Sequence, residues 1–185
     1  MKATKLIALT VPVLLLFGCG IGDKDSTPKT EKTSKAISKK VISEKEYPYY
    51  ICEQLLEFQT QKDTLILKTG KAMNDKKNYE DVLKTVNSMD EALDRMENIK
   101  VPDKYNDIHK LVQEGVEDAR KGTKILKDAN KEDGQKIQDA LLKSTPHMSG
   151  VDGEQWDKAI SELNQETKDA YAKALDKQIE KHAKK

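Results

Sequence analysis

The chain has little of what marks most protein classes. Two cysteines in 185 residues cannot build a disulfide-dense scaffold, and nine Gly with five Pro are too few for a loop-rich polymer. One Trp, two Phe and six Tyr leave only 5% of residues aromatic. A charge excess is missing too: 33 Lys and Arg nearly cancel 32 Asp and Glu. That balance excludes the overall basic field of a nucleic-acid binder, so no nucleic-acid partner is expected. Charge itself is abundant, at 35% against 36% hydrophobic residues. Such a composition fits long solvent-washed helices or disorder, and hydrophobic periodicity decides between them.

One long apolar run exists, and it stands at the start. Met1 to Lys5 is a short positive segment, and Leu6 to Phe17 is apolar apart from Thr10 and Pro12. A dozen residues are too few to span a ~30 Å hydrocarbon core, so the run reads as a signal-peptide core and not a transmembrane helix. It ends in Leu16-Phe17-Gly18-Cys19, which resembles the lipobox of bacterial lipoproteins. The resemblance covers the signal peptide. It implies cleavage after Gly18, a Cys19 thioether-linked to diacylglycerol, fatty acylation of the palmitate type, and a chain held on the extracytoplasmic face of the cell membrane. An ordinary secretory leader with an incidental cysteine is the alternative. Two or more acyl chains give durable anchoring where one is marginal.

Residues 1–18 are thus expected to be a leader and 19–43 a tether. The stretch from Gly20 to about Ser43 is polar and carries Lys24, Lys29, Lys32, Lys35, Lys39 and Lys40. It cannot bury enough apolar surface to order itself. Lysines beside a lipid anchor would be drawn to anionic headgroups or wall polymers, or else the segment is a solvated spacer. With Cys19 used for lipid, Cys52 has no partner; burial of its thiol or pairing between chains are the options. Only Arg95 and Arg120 are arginine, the other basic residues being lysine. That bias is typical of AT-rich genomes and suggests a Gram-positive, Bacillus-like source.

From Glu44 onward the period is helical. Val82, Val86, Met89, Leu93 and Met96 recur at alternating spacings of four and three between Asn78 and Ile99. Asn78 is a candidate N-cap, and Val101-Pro102 a stop. A helix from Asp103 to about Ala129 points Ile108, Val112, Gly115, Ala119, Gly122 and Leu126 inward, and its small residues should let a neighbour approach closely. Tyr47 to Met73 forms the first long helix, with Pro48 in its first turn and Ile51, Leu55, Phe58, Leu65 and Ala72 on one side. After a break at 130–134 comes a short amphipathic piece around Ile137, Ala140, Leu141 and Leu142. A turn-rich loop over 144–153 follows. Asp152 and Gln155 are expected to cap one last long helix whose inner stripe is Trp156, Ile160, Leu163, Thr167, Ala170 and Ala174. The fold class is all-α: an elongated antiparallel four-helix bundle over 44–185, with a short extra helix before the last long one. This part resembles the small helical-bundle lipoproteins, of unknown function, of Gram-positive bacteria and their mobile elements. That likeness rests on general pattern, including Val101-Pro102-Asp103.

Catalytic and cofactor signatures are scarce. His109, His147 and His182 stand in different elements, none in a Glu-x-x-His or His-Glu-x-x-His pair, and His109 reads as a boundary residue beside its stripe. No nucleophile elbow has its strand-turn-helix context. Asp128, Asn130 and Glu132 occupy positions 1, 3 and 5 of a calcium-type loop, but the glycine falls one place late, at Gly134. Asp139 also stands where a bidentate Glu belongs, so a polar break between helices explains the letters better. No catalysis, cofactor or metal is therefore expected.

Two features suit recognition. Tyr47, Tyr49 and Tyr50 open the first helix at the tether end. Their rings could rest at a membrane interface or stack on wall glycans or a partner, or they could close the bundle's end. The loop bearing His147 and Met148 is the second, since loops on a rigid frame often carry recognition. The expected function is a lipid-anchored, non-catalytic interaction module that docks a protein or a cell-wall polymer. Resemblance adds a possible role in phage or mobile-element exclusion. The alternative is a solute- or metal-binding lipoprotein serving a transporter or envelope enzyme.

Overall fold

The computed structural model describes residues 39–129, 133–149 and 153–183. The leader, Cys19 and most of the tether lie outside the described residues, as do Asn130, Glu132 and Asp152. The described chain is all-α apart from a two-residue strand pair. Its helices are α1 (Tyr47–Asn74), α2 (Tyr79–Glu97), α3 (Asn106–Lys127), α4 (Gly134–Ser144), α5 (Glu154–Glu166) and α6 (Ala170–Ala183). No helix among the described residues is long and apolar enough to cross a membrane.

The stripes read from the sequence form the core. Val82, Val86, Met89, Leu93 and Met96 of α2 are fully buried. So are Ile51, Phe58, Leu65 and Ala72 of α1, and Val112, Ala119 and Leu126 of α3. Pro48 sits in the first turn of α1, where a missing N–H costs nothing. Asn78 precedes α2, but its side chain does not cap that helix; its Nδ2 donates to the Lys71 carbonyl at 3.4 Å. Asp133 caps α4, accepting from the N–H groups of Gln135 and Lys136.

Contacts along the helices fix their directions. The start of α1 meets the start of α3 through Tyr47 and Tyr105, and Tyr79 at the start of α2 donates to the Leu126 carbonyl at the end of α3. Hence α1 and α3 run one way and α2 the other. The next descending layer is made in two pieces. Gly134 of α4 lies against Met73, Met148 and Ser144 against Gly122, and Trp156 of α5 against Gly115. Near the start of α3, Lys104 pairs with Glu166 at the end of α5.

The expected single last helix is broken. Thr167 to Asp169 form a turn, with Asp169 at φ +67°, and α6 reverses to run parallel to α1. Lys173 faces Tyr49, Lys177 faces Glu53, and Lys181 faces Glu57. The stripe from Trp156 to Ala174 is real: Trp156, Leu163, Ala170 and Ala174 are all buried. However, its two halves serve different neighbours, α3 and α1. A periodic stripe states that a face is covered and says nothing about what covers it.

The second departure is at the tether. Lys40–Val41 pairs in parallel with Ile99–Lys100, and the Lys40 N–H donates to the Asn98 carbonyl at 2.9 Å. Ile42 is buried while Val41 is 73% exposed, the alternation a strand imposes. Residues 39–43, expected in the tether, therefore belong to the domain. Two residues are too short a strand for a period-two pattern to be read from sequence.

Candidate functional site

The tether end of the bundle gathers the first recognition feature. The Ser43 N–H and hydroxyl both donate to the Glu46 carboxylate, at 3.2 and 2.6 Å. This is the reciprocal half of a capping box, and it aims the chain into α1. These bonds hold the Glu46 carboxyl below its usual range.

The three tyrosines then do three different things. Tyr47 is a correction to the expected exposed surface, because it is fully buried. Its ring stacks on Tyr105 with centroids 4.6 Å apart, and its Oη lies 2.8 Å from Nδ1 of His109. The physical reason is helical phase: Tyr47 precedes Ile51 by four residues and shares the inward stripe. Burial pushes the Tyr47 phenol up. Burial, with Lys39 second, pushes the His109 imidazole down to about 4. His109 is thus a buried core residue and not a boundary one.

Tyr49 and Tyr50 remain half-exposed. The Tyr50 hydroxyl donates to the Arg95 carbonyl at 3.0 Å, and the Lys40 ammonium stands 4.4 Å above its ring. The Lys173 ammonium lies 5.4 Å from the Tyr49 ring. Both rings that reach solvent therefore carry a cation. With Val41, Lys45 and Lys177 they line an open groove of about 550 Å³.

The second feature is clamped down. Met148 is another correction: it is buried, and a Cβ built on Gly122 would sit 3.0 Å from its Cγ. The glycine lets the loop lie directly on α3. His147 is half-exposed, with Nδ1 2.9 Å from Oδ1 of Asp118. In the suspected calcium segment, Asp133 caps α4, Asp128 accepts from Lys124, and Asp139 accepts from Gln135. Among the described residues no group of three or more His, Cys, Asp or Glu side chains is placed to hold a metal ion.

Sequence reasoning missed a cleft of about 250 Å³ between α1, α5 and α6. Leu55, Trp156, Ile160 and Tyr171 line it, with Gln59 and Lys62 at the rim. No sequence signal could have found it, because the return of α6 builds one wall. It also missed the work of the two arginines. Arg95 joins α2 to α1 by donating from Nε to Gln54 Oε1. Arg120 joins α3 to α2 by donating to both Asp94 and Glu97, with Asp90 at 3.9 Å. The planar guanidinium fork of Arg120 is suited to spanning several acceptors at once.

Comparison of the chain with protein-family models, with curated proteins and with solved structures gives no match.

Proposed function

We propose that the chain is a lipid-anchored, non-catalytic interaction module on the extracytoplasmic face of a bacterial membrane, in a Gram-positive cell. The observation that carries this reading is Leu16-Phe17-Gly18-Cys19 at the end of a short apolar run. The domain supports it in two ways. The chain enters the bundle at Lys39 to Ser43, beside Tyr49 and Tyr50, so the half-exposed aromatic groove would face the anchor on this reading. In addition, the candidate polar groups brace the fold: His147 with Asp118, Tyr50 with Arg95, and Tyr47 with His109. The partner would be a protein or an envelope polymer. Exclusion of phage or mobile elements is the finer form of the reading.

Labelling with radioactive palmitate and membrane fractionation test the anchor. The chain should take up label and sediment with membranes. Cys19→Ala should lose the label and either accumulate as an uncleaved precursor or leave the membrane. Normal maturation of Cys19→Ala with full membrane retention would overturn the reading. The cleft beside Trp156 favours a second reading, binding of a small solute for a transporter or envelope enzyme. Tight stoichiometric binding in calorimetry against small solutes and divalent metals would replace the first reading with that one.

A further inference from the structure

The hold on α6 differs from that on the rest of the bundle. Among the described side chains of this helix only Ala170 and Ala174 are buried, while Leu175 and Ile179 are 40% and 58% exposed. Its grip on α1 is mostly polar. Lys177 pairs with Glu53 at 2.9 Å and Lys181 with Glu57 at 3.3 Å, both on the surface. Gln178 Nε2 donates to Thr60 Oγ1 at 2.6 Å and to the Leu56 carbonyl at 3.3 Å. The pairs with Tyr49, Glu53 and Glu57 share one sequence offset, 124 residues, so they act as a register code along α1.

The turn that returns α6 is at odds with its own sequence. Thr167-Lys168-Asp169 contains neither Gly nor Pro, and the apolar stripe runs through it at helical spacing. Asp169 takes a left-handed φ of +67°, a region that Gly enters freely, Asp and Asn less readily, and other residues at a larger cost. Against this, the Asn164 side chain accepts the Tyr171 N–H at 3.1 Å and holds the hairpin shut. Local sequence favours one straight helix, and tertiary packing favours the hairpin.

We propose that α6 is an exchangeable arm: the turn at 167–169 straightens, α5 and α6 become one helix, and α6 docks on α1 of a second copy in a reciprocal dimer. The direction fits. Straightened, α6 leaves α5 at the end where α1 begins. In a two-fold partner meeting at that end, it runs parallel to the partner's first helix, as it does in its own chain. Every charged pair is remade and the left-handed residue relaxes into a helix, while the Asn164 contact and the turn's Ala170 N–H to Thr167 carbonyl bond are lost. The inference is independent of the lipid anchor.

A charge exchange tests it. One full-length copy carries Glu53→Lys with Glu57→Lys, and another carries Lys177→Glu with Lys181→Glu. Each alone repels its own α6, whereas an exchanged pair restores every attraction. Mixed in mild detergent with different tags, the two should copurify at one to one, and each alone should be monomeric in sedimentation equilibrium. Asp169→Ala in the otherwise unchanged chain should raise the dimerisation constant several-fold per exchanged arm, because Ala tolerates the left-handed turn less well than Asp and favours the continuous helix. Asp169→Gly should lower it. A mixture that stays monomeric overturns the proposal. So does a dimer that forms equally well in each charge variant alone, or one indifferent to residue 169, because another surface would then be responsible. Circular dichroism of each variant identifies any that fail to fold, and for these the residue-169 pair decides.

Discussion

The indole of Trp156 lies across Gly115. A Cβ at that glycine would stand 2.6 Å from Trp156 Cδ1, while Nε1 donates to the Val112 carbonyl at 3.2 Å. The edge of Phe58 meets the same ring, with centroids 5.2 Å apart and planes at 80°. One contact thus locks α5 onto α3 and α1 at once. Gly115→Ala brings two effects of opposite sign. Helix propensity improves by about 1 kcal/mol, whereas overpacking a fixed ring costs about 1–3 kcal/mol. The ring is hydrogen-bonded and flanked, so overpacking should win. Urea unfolding should show a net loss of up to about 2 kcal/mol, with a shift in Trp fluorescence. A stabilised variant would mean the indole moves freely.

Arg120→Lys should weaken the joint between α2 and α3. A single ammonium cannot span Asp94 and Glu97 as the guanidinium does. Because the group is partly exposed, the expected loss is about 1 kcal/mol at low salt. It should shrink in 0.5 M NaCl as screening takes over. Thermal melts at the two ionic strengths check both the size and the salt trend.

His109 should make stability pH-dependent. Its folded pKa, about 4, is below the ordinary value of 6.5, so the unfolded chain binds the extra proton first. The neutral ring's contribution is complete above pH 6.5 and lost as pH falls towards 4, by up to about 3 kcal/mol. His109→Gln should flatten this part of the profile, measured by urea unfolding from pH 7 to 4. An equal slope in both proteins would assign it to other groups.

Cys52 should be chemically silent in the native protein. It is fully buried, and burial pushes its thiol up to about 12. In Cys19→Ala protein, maleimide at pH 7.5 should label Cys52 only as fast as the domain opens, with full labelling in denaturant. Non-reducing gels should show no disulfide-linked dimer. Rapid native labelling would place the thiol at the surface.

Much of the helical frame was legible because each stripe carries its own evidence. The recurrence from Val82 to Met96 needs no neighbour to be read. Gly115 and Gly122 likewise announced close approach, and Trp156 and Met148 fill the space they leave. Tyr47 could have been separated from Tyr49 and Tyr50 by phase, since it lies one turn before Ile51. Grouping the three by residue type concealed that. The burial of Met148 was not legible, because it depends on where the loop lands on α3.

By itself the sequence determined most of the helical segments and which face of each is buried. Those properties follow from local periodicity and composition. Only the tertiary structure decided that the last stripe is folded in two, that residues 39–43 join the domain, and that both arginines are cross-braces. Each depends on a contact between residues far apart in the chain. The continuous stripe makes a straight helix the local preference, and the sum of contacts that α6 makes with α1 outweighs it.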